Sequence, residues 1–382
     1  MTKAKKTILK WLDGSLRAVL QYLPKNGAIP AHVNRVLVIK LSAMGDAFCL
    51  MPSIRALKHS SPSVMIDWLT TNRTNPSIFK DLSFISNVVL VPTSPLALLI
   101  FVIIYFSRWG RYDLIIDFDQ YYFISELFAY AGKSSTGFST ELKGSTFSRC
   151  LSYAPTENEK RQFFSLVSRS MPSSTIHSYI LSPKIFELTD NLAQPASLSY
   201  LIDRLELTED PVVVVYPGSS GNAVIRRWPL NRYHDTISIL SRKCIVIIAG
   251  GPDETEIAHQ FKSDDYRIYN LIGELSIKDW LWFFRHRADL FIGNDAGMLH
   301  LAESQDLPLI GLFGPNLGSK WGSLNINSQI IDVNLECRPC IKTHLGIVPQ
   351  NCARQDIACM SNITVDMVIA AVSTYLKVEF IR

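Results

Sequence analysis

Four short segments carry residue types that could do chemistry. In "GNDAGMLHLAE" (293–303) an acid, a glycine and a histidine lie between an apolar strand, "ADLFIG", and a helical run, "HLAESQ". The backbone N–H groups of Ala296, Gly297, Met298 and Leu299 would open that helix, and free amides with the helix dipole behind them suit an anion. Taken alone, Asp295 reads as an N-cap and His300 as a satisfied core histidine. In "YPGSSGNAVIRRWP" (216–229) the small residues Gly218, Ser219, Ser220 and Gly221 precede Arg226 and Arg227. Amides and hydroxyls of such a loop can cradle a phosphate, and a guanidinium can grip it bidentately. Neither a Walker loop nor a dinucleotide fingerprint is present. In "AGGPDETEIA" (249–258) Glu254 and Glu256 open a helix, where acids complement the dipole and one could hold a ribose or base edge. In "SAMGDAF" (42–48) Asp46 follows Gly45 at a helix start. It can cap backbone amides or act as a general base, and spacing alone favours the cap.

The segments around these loops alternate. "RVLVIKL" (35–41), "VMIDWL" (64–69), "NVVLV" (87–91) and "DLIIDF" (113–118) read as strands, with helical stretches between them, including 46–60 with Pro52 inside. Residues 140–200 lose this rhythm and are rich in Ser, Thr, Asn and Pro, ending in the linker-like "NLAQPASLSYL". The pattern then restarts with strands "VVVVY", "CIVIIAG", "ADLFIG" and "PLIGLFG" and helices at 229–243 (Pro229 at the first helical position), "DETEIAHQF" and "SIKDWLWFFRH", the last capped by Ser276. Short apolar strands alternating with helices imply parallel sheets covered on both faces. The expectation is an α/β protein of two doubly wound domains, 34–200 and 201–382, after a basic segment 1–33. Ligands should then lie beyond the carboxyl ends of the strands, in a cleft between the two sheets.

Bulk properties narrow the class. The 382 residues are 47% hydrophobic and 19% charged, enough for two globular cores. A net charge of +4 with no nucleic-acid motif excludes a strong case for DNA or RNA. The start, "MTKAKKTILKWLDGSLRAVLQYL", is basic, with Ile8, Leu12, Leu16, Val19 and Leu23 at helical spacing and no signal-peptide cleavage site. Such a helix either packs on the body or lies on an anionic membrane face. "PLALLIFVIIYF" (95–106) is the most apolar run; it is too short to span a bilayer and reads as a buried or membrane-touching helix.

Four of the seven cysteines, Cys337, Cys340, Cys352 and Cys359, form C-x2-C-x11-C-x6-C. The spacing suits a closed tetrahedral thiolate site for structural Zn or Fe, with packed free thiols as the other reading.

Together, "VLVIKLSAMGDAFCLMPSIRALK", "YPGSSGNAVIRRWPLNRY", "IAGGPDETEIA" and "LFIGNDAGMLHLAESQDLPLIGLFGP" resemble glycosyltransferase family 9, the group of the lipopolysaccharide heptosyltransferases. The resemblance runs from about residue 34 to the C-terminus, is weak over 140–200, and is most specific in the last stretch. It implies a GT-B fold with an acceptor-binding N-terminal domain and a donor-binding C-terminal domain. It implies an inverting displacement without an organic cofactor, with heptose from ADP-heptose as the favoured donor. A lipid-linked or glycan acceptor such as a lipopolysaccharide core is implied, at the inner face of the cytoplasmic membrane. By the resemblance, Asp46 falls on the general base and Ser219, Ser220 and Arg226 on diphosphate contacts. Glu254 falls near the nucleoside-binding acid, with Glu256 competing. Asp295, Ala296, Gly297, Met298 and His300 fall on the loop that meets diphosphate and sugar. The family often has Lys where Arg226 stands. Some protein-modifying heptosyltransferases resemble this chain in their Cys-rich segment and bind iron. That leaves a protein acceptor, or nucleotide-sugar binding without catalysis, as alternatives.

Overall fold

The apolar runs pair as parallel strands. The computed structural model describes residues 13–141, 143–171, 181–219 and 224–380. The chain divides into one unit of Met1–Leu181 with Thr343–Gly346 and a second of Ser182–Lys342 with Ile347–Arg382. The division thus falls earlier in the chain than the 200/201 boundary read from sequence.

The first unit holds a six-stranded parallel sheet of order β3-β2-β1-β4-β5-β6. Its strands are β1 (Arg35–Ile39), β2 (Met65–Thr70), β3 (Asn87–Leu90), β4 (Leu114–Asp117), β5 (Ser134–Ser139) and β6 (Arg149–Ser152). In register, Ile39 stands beside Leu69 on one side and Asp117 on the other. The helices are α1 (residues 13–20), α2 (Met44–Ser60), α3 (Pro95–Phe106), α4 (Phe123–Tyr130) and α5 (Glu159–Ser170). α2 carries Pro52 within its span and packs against α5. Leu37, Ile39, Ile115, Phe128 and Phe147 lie at the centre of a core on one face of the sheet.

Two expectations need correction here. Residues 140–200 are not without regular structure, since β6 and α5 complete the first sheet and its cover. β6 is a half-exposed edge strand of polar sequence, so it lacks the apolar run that marks a buried strand. The run 95–106 is not a buried helix: no residue of α3 is buried. Of the periodic N-terminal residues, Ile8 and Leu12 lie outside the described residues, Leu16 and Leu23 are half-buried and Val19 is exposed; Leu20, which is not part of that series, is buried. No helix among the described residues is long and apolar enough to cross a membrane.

The second unit repeats the architecture with order β12-β11-β10-β7-β8-β9. Its strands are β7 (Val212–Tyr216), β8 (Ile245–Ile248), β9 (Ile268–Asn270), β10 (Leu290–Asn294), β11 (Leu309–Phe313) and β12 (Ser328–Asp332). Every residue of β7, β8, β10 and β11 is buried, which is why they read as continuous Val/Ile/Leu runs. The helices are α6 (Ser199–Leu205), α7 (Leu230–Leu240), α8 (Thr255–Ala258), α9 (Ile277–His286), α10 (Gly297–Ser304), α11 (Gly318–Trp321), α12 (Ala358–Ser361) and α13 (Val365–Leu376). Ser276 caps α9 as expected: its Oγ accepts the Asp279 N–H at 3.2 Å and the Asp279 carboxylate answers with a bond from the Ser276 N–H. Pro229 sits at the N-cap of α7 rather than inside its first turn. Trp228 is fully buried, stacks edge-on to Tyr233 and donates its indole N–H to the Ile363 carbonyl, tying α7 to the chain before α13.

Candidate active site

In each sheet the winding reverses beside the first strand: β1 lies between β2 and β4, and β7 between β8 and β10. At such a reversal the loops leaving the two strands diverge to opposite faces and open a crevice for a ligand. Three of the four segments singled out by residue type, after β1, β7 and β10, fall at these two places, and the fourth, 249–258, follows the adjacent β8.

In the first unit the loop after β1 carries Lys40 and leads into α2, while the loop after β4 carries Asp119 and Gln120. Lys40 is 1% exposed, yet its ammonium meets Asp46 Oδ2 at 2.9 Å, Asp119 Oδ1 at 3.2 Å and Gln120 Oε1 at 3.1 Å. Burial alone would drive its proton off; the carboxylates of Asp46 and Asp119 outweigh burial and hold the pKa above the ordinary lysine value. Asp119 also accepts the Leu41 N–H at 2.8 Å. Gln120 donates to Glu159, whose other oxygen accepts the Tyr153 hydroxyl at 2.8 Å. Beneath this network Lys143 binds Asp117 at 2.6 Å. Burial pushes Asp117 up to about 6, the nearby Asp119 charge acts the same way, and Lys143 opposes both. Asp46 lies in the first turn of α2, where Ala43 is the N-cap and makes no side-chain cap bond. Its side chain is 25% exposed and its partner among the described residues is Lys40. The cap favoured by spacing is therefore absent, and Asp46 presents a partly open carboxylate anchored from behind by a buried cation.

In the second unit Asn294, the last residue of β10, staples the reversal together. Its amide donates to the carbonyls of Pro217 (3.1 Å) and Gly218 (2.8 Å), and its oxygen accepts the Trp228 N–H at 3.0 Å. Arg226 reaches the Asp295 carbonyl with Nη1 at 3.4 Å, and its Nε stands 3.6 Å from Asp295 Oδ2. Asp295 Oδ2 accepts the Asn316 amide at 2.5 Å. Arg227 turns to Ser219 Oγ (3.3 Å) and to the exposed Glu256 (3.2 Å). Two buried guanidinium donors, Nε of Arg226 and Nη2 of Arg227, have no hydrogen-bond acceptor among the described residues. Such donors are costly unless something accepts from them. Ser220 lies outside the described residues.

Ala296 is the N-cap of α10 and makes no side-chain cap bond; Gly297 is the first helical residue and Met298 is buried. His300 is buried on α10 with Nδ1 3.6 Å from Glu303 Oε2, and Glu303 Oε1 accepts the Leu324 N–H at 2.7 Å. Glu254 is 3% exposed; its oxygens accept the Tyr216 hydroxyl (2.6 Å) and the Gly251 N–H (2.7 Å). A Cβ at Gly218 would come within 2.3 Å of Glu254 Oε1, so any larger residue there would push the buried Glu254 side chain out of place. Arg338 clamps the far side: its guanidinium donates to the carbonyls of Gly314 (2.5 Å), Val333 (2.5 Å) and Asn316 (2.8 Å) and to Asp332 (2.9 Å).

Cys337, Cys340, Cys352 and Cys359 line one cavity of about 90 Å³, together with Ile225 and Pro315, and all four thiols are free. Burial pushes the Cys340 thiol up, and the nearby Cys337 and Cys352 add to it. Among the described residues, however, no three His, Cys, Asp or Glu side chains are placed so as to hold a metal ion.

Sequence reading missed Lys40, Asp119, Gln120, Glu159, Asn294, Asn316 and Arg338. A lone Lys closing the apolar run "RVLVIKL", and two acids closing "DLIIDFD", were the available signals for the first group.

A family model described as glycosyltransferase family 9 (heptosyltransferase) matches residues 110–346, more than half of the chain. The chain belongs to glycosyltransferase family 9. Among relatives, lipooligosaccharide heptosyltransferase 2 of Campylobacter jejuni subsp. jejuni serotype O:2 is 25% identical over 169 residues, 42% of this chain and 50% of the relative. The chain spans about half the length of the curated relatives it matches. Among solved structures, the ADP-heptose lipopolysaccharide heptosyltransferase II of E. coli superposes with a TM-score of 0.65 at 17% identity, covering 90% of this chain and 98% of that one. The iron-containing dodecameric glycosyltransferase TibC of enterotoxigenic E. coli superposes with a TM-score of 0.53 at 12% identity, covering 93% and 78%. At these identities the likeness shows the fold, and the two doubly wound units are those of a family 9 GT-B protein.

Proposed function

We propose that this family 9 protein is an inverting glycosyltransferase that moves heptose from ADP-heptose onto a lipopolysaccharide core or related glycan at the inner face of the cytoplasmic membrane. The observation that carries the reading is the pair of buried guanidinium donors at the β7/β10 reversal, Arg226 Nε, whose neighbour Asp295 Oδ2 stands beyond hydrogen-bond reach at 3.6 Å, and Arg227 Nη2, neither with a hydrogen-bond acceptor among the described residues. A diphosphate supplies the acceptors they lack. The name of the E. coli heptosyltransferase II supports ADP-heptose as the donor.

In this scheme Asp46 accepts the proton of the acceptor hydroxyl as the oxygen bonds to the anomeric carbon. The bond from that carbon to the diphosphate breaks on the opposite face, so configuration inverts and ADP departs. Charge gathering on the diphosphate meets Arg226, Arg227, the hydroxyls of Ser219 and Ser220, and the N–H groups of Gly297 and Met298. Asp295, braced by Asn316, orients Arg226. Glu254 holds the Gly218 and Gly251 turns on the nucleoside side, and Ala296 and His300 fix the start and inner face of α10. Lys40 anchors the Asp46 carboxylate from behind at 2.9 Å. Steady-state kinetics of Asp46→Asn test the base: kcat should fall by about 10²–10⁴ with ADP affinity unchanged. A variant that keeps full turnover would sink the assignment.

A second reading, a protein acceptor with a structural Zn or Fe, rests on the four-thiol cavity and on the likeness to an iron-containing enzyme. The donor set suits either metal by chemistry, but the thiols as placed do not close around an ion. Cys337, Cys340, Cys352 and Cys359 would hold it, and its work would be to brace the segment that carries Arg338. About one metal atom per purified chain, lost in Cys340→Ser with a lower Tm, favours this reading. Four thiols that react freely in the native protein dismiss it.

A further inference from the structure

α3 is apolar on both sides. Ser94 accepts the Ala97 N–H and Pro95 occupies the first turn, so the helix starts locally, and no charged residue occurs within it. One face, Leu98, Phe101, Val102, Tyr105 and Phe106, packs against the core of the first unit. The other, Leu96, Leu99, Ile100, Ile103 and Ile104, is between 49% and 71% exposed. These five recur at spacings of three and four, so they form one stripe along the helix. A solvent-facing stripe of this kind ordinarily carries charge. The core contacts hold α3 against the body, and its length of ~18 Å is well short of a ~30 Å hydrocarbon layer. It can therefore lie in an interface but not cross it.

The surroundings say what covers it. Trp109, 53% exposed, follows the helix and packs edge-on against Tyr130. Arg108 and Arg111 flank that indole, both exposed, while the nearby Lys133, against Gly110, is paired with Asp113 at 2.8 Å. The sequence contains no acid between Asp81 and Asp113. Asn26 donates to the carbonyls of Ala129, Tyr130 and Gly132, which brings the end of the N-terminal segment, with its exposed Lys25, beside the same rim. An apolar stripe bordered by an indole and by cations is complementary to acyl chains, the carbonyl layer and anionic headgroups in turn. A second copy of the chain is a poorer fit. Five half-exposed aliphatic side chains offer on the order of 500 Å², below the ~800 Å² per partner of a stable interface, and the cationic rims would face each other.

We propose that α3 is an interfacial anchor that seats the first unit on an anionic lipid bilayer, with Leu96, Leu99, Ile100, Ile103 and Ile104 entering the acyl boundary and Arg108 and Arg111 meeting phosphate headgroups. The proposal stands on this surface alone and is independent of the transfer reaction, because its readout is lipid binding. Flotation of the full chain with phosphatidylethanolamine–phosphatidylglycerol vesicles should recover the protein in the lipid fraction. Leu99→Glu/Ile103→Glu should lower partitioning about tenfold or more. Arg108→Glu/Arg111→Glu should lower it on these vesicles, and salt should weaken the wild type in parallel. Both side chains of the first pair are more than half exposed, so the fold should persist; near-UV dichroism checks it, and Leu99→Ser with Ile103→Ser serves if it fails. Equal flotation of the wild type and the double glutamate variant overturns the proposal. So does a lipid-free dimer in sedimentation velocity that Ile103→Glu dissolves while neither protein floats, since a second copy would then own the face.

Discussion

Replacing Lys40 with methionine removes a cation that is almost wholly buried while keeping its aliphatic stem. Three acceptors lose it at once: Asp46 Oδ2, Asp119 Oδ1 and Gln120 Oε1. At an effective dielectric near 20, the raw attraction of the 3.2 Å Lys40–Asp119 pair is ~5 kcal/mol, which the desolvation of the ammonium offsets in part. Asp46 is partly open to water and contributes less. What remains after the substitution is the Asp119 carboxyl group, 1% exposed, whose other oxygen accepts the Leu41 N–H. Stranding a buried charge costs about 3–5 kcal/mol. Adding Asp119→Asn removes that charge, so the double variant should lose only about 2 kcal/mol. Urea unfolding, with hydrogen exchange in β1 and β4 to localise the effect, measures both. The sign with pH is also fixed. Folding raises the Lys40 pKa, so its contribution is complete below ~10.4 and disappears only as pH climbs through the higher folded value. The wild-type to Lys40→Met difference should therefore be flat from about pH 6 to 9. A loss under about 1 kcal/mol, or a double variant no better than the single, would refute the reasoning.

Other outcomes follow from the second unit. Arg226→Met should weaken ADP binding by about 10–100-fold in calorimetry; unchanged affinity would mean that this guanidinium does not meet the diphosphate. Arg338→Met should cost about 2–4 kcal/mol, since four acceptors lose one donor, and should weaken ADP binding through the Asn316–Asp295 contact. Stability lost with affinity intact would confine Arg338 to a structural role. Gly218→Ala should destabilise by about 1–3 kcal/mol because its Cβ strikes the Glu254 carboxylate. Ser276→Ala should cost about 1 kcal/mol through the lost cap of α9.

The sequence was most legible where burial on both faces writes itself as an unbroken apolar run. β1, β4, β7, β8, β10 and β11 could all be placed that way, and with them the loops that leave their carboxyl ends. The edge strand β3 was still read, from "NVVLV", but the edge strands β6 and β9 were illegible for the opposite reason. β6 reads "RCLS" and β9 "IYN", half-exposed segments too short and too polar to show a period. The candidate site divides along a similar line. Asp46, Arg226 and Asp295 stand in segments whose glycines and position after a strand announce a ligand loop. Lys40 and Asp119 are far apart in sequence, and their meeting depends on β1 and β4 being neighbours, a long-range pairing that no local pattern encodes. Arg338 was hidden by the cysteines around it, which drew attention to a metal and away from the carbonyls it clamps. For Asp46, spacing favoured a cap, whereas the structure pairs its carboxylate with the buried Lys40.

The proposal that this family 9 protein transfers heptose is tested most directly by incubating it with ADP-heptose and a heptose-deficient lipopolysaccharide, and following ADP release with the mass of the acceptor. The expected result is ADP released in step with a one-heptose gain in acceptor mass, abolished in Asp46→Asn. ADP-heptose that binds tightly but never turns over on any glycan or protein acceptor would contradict transfer, and absence of any ADP or ADP-heptose binding would contradict the donor site itself.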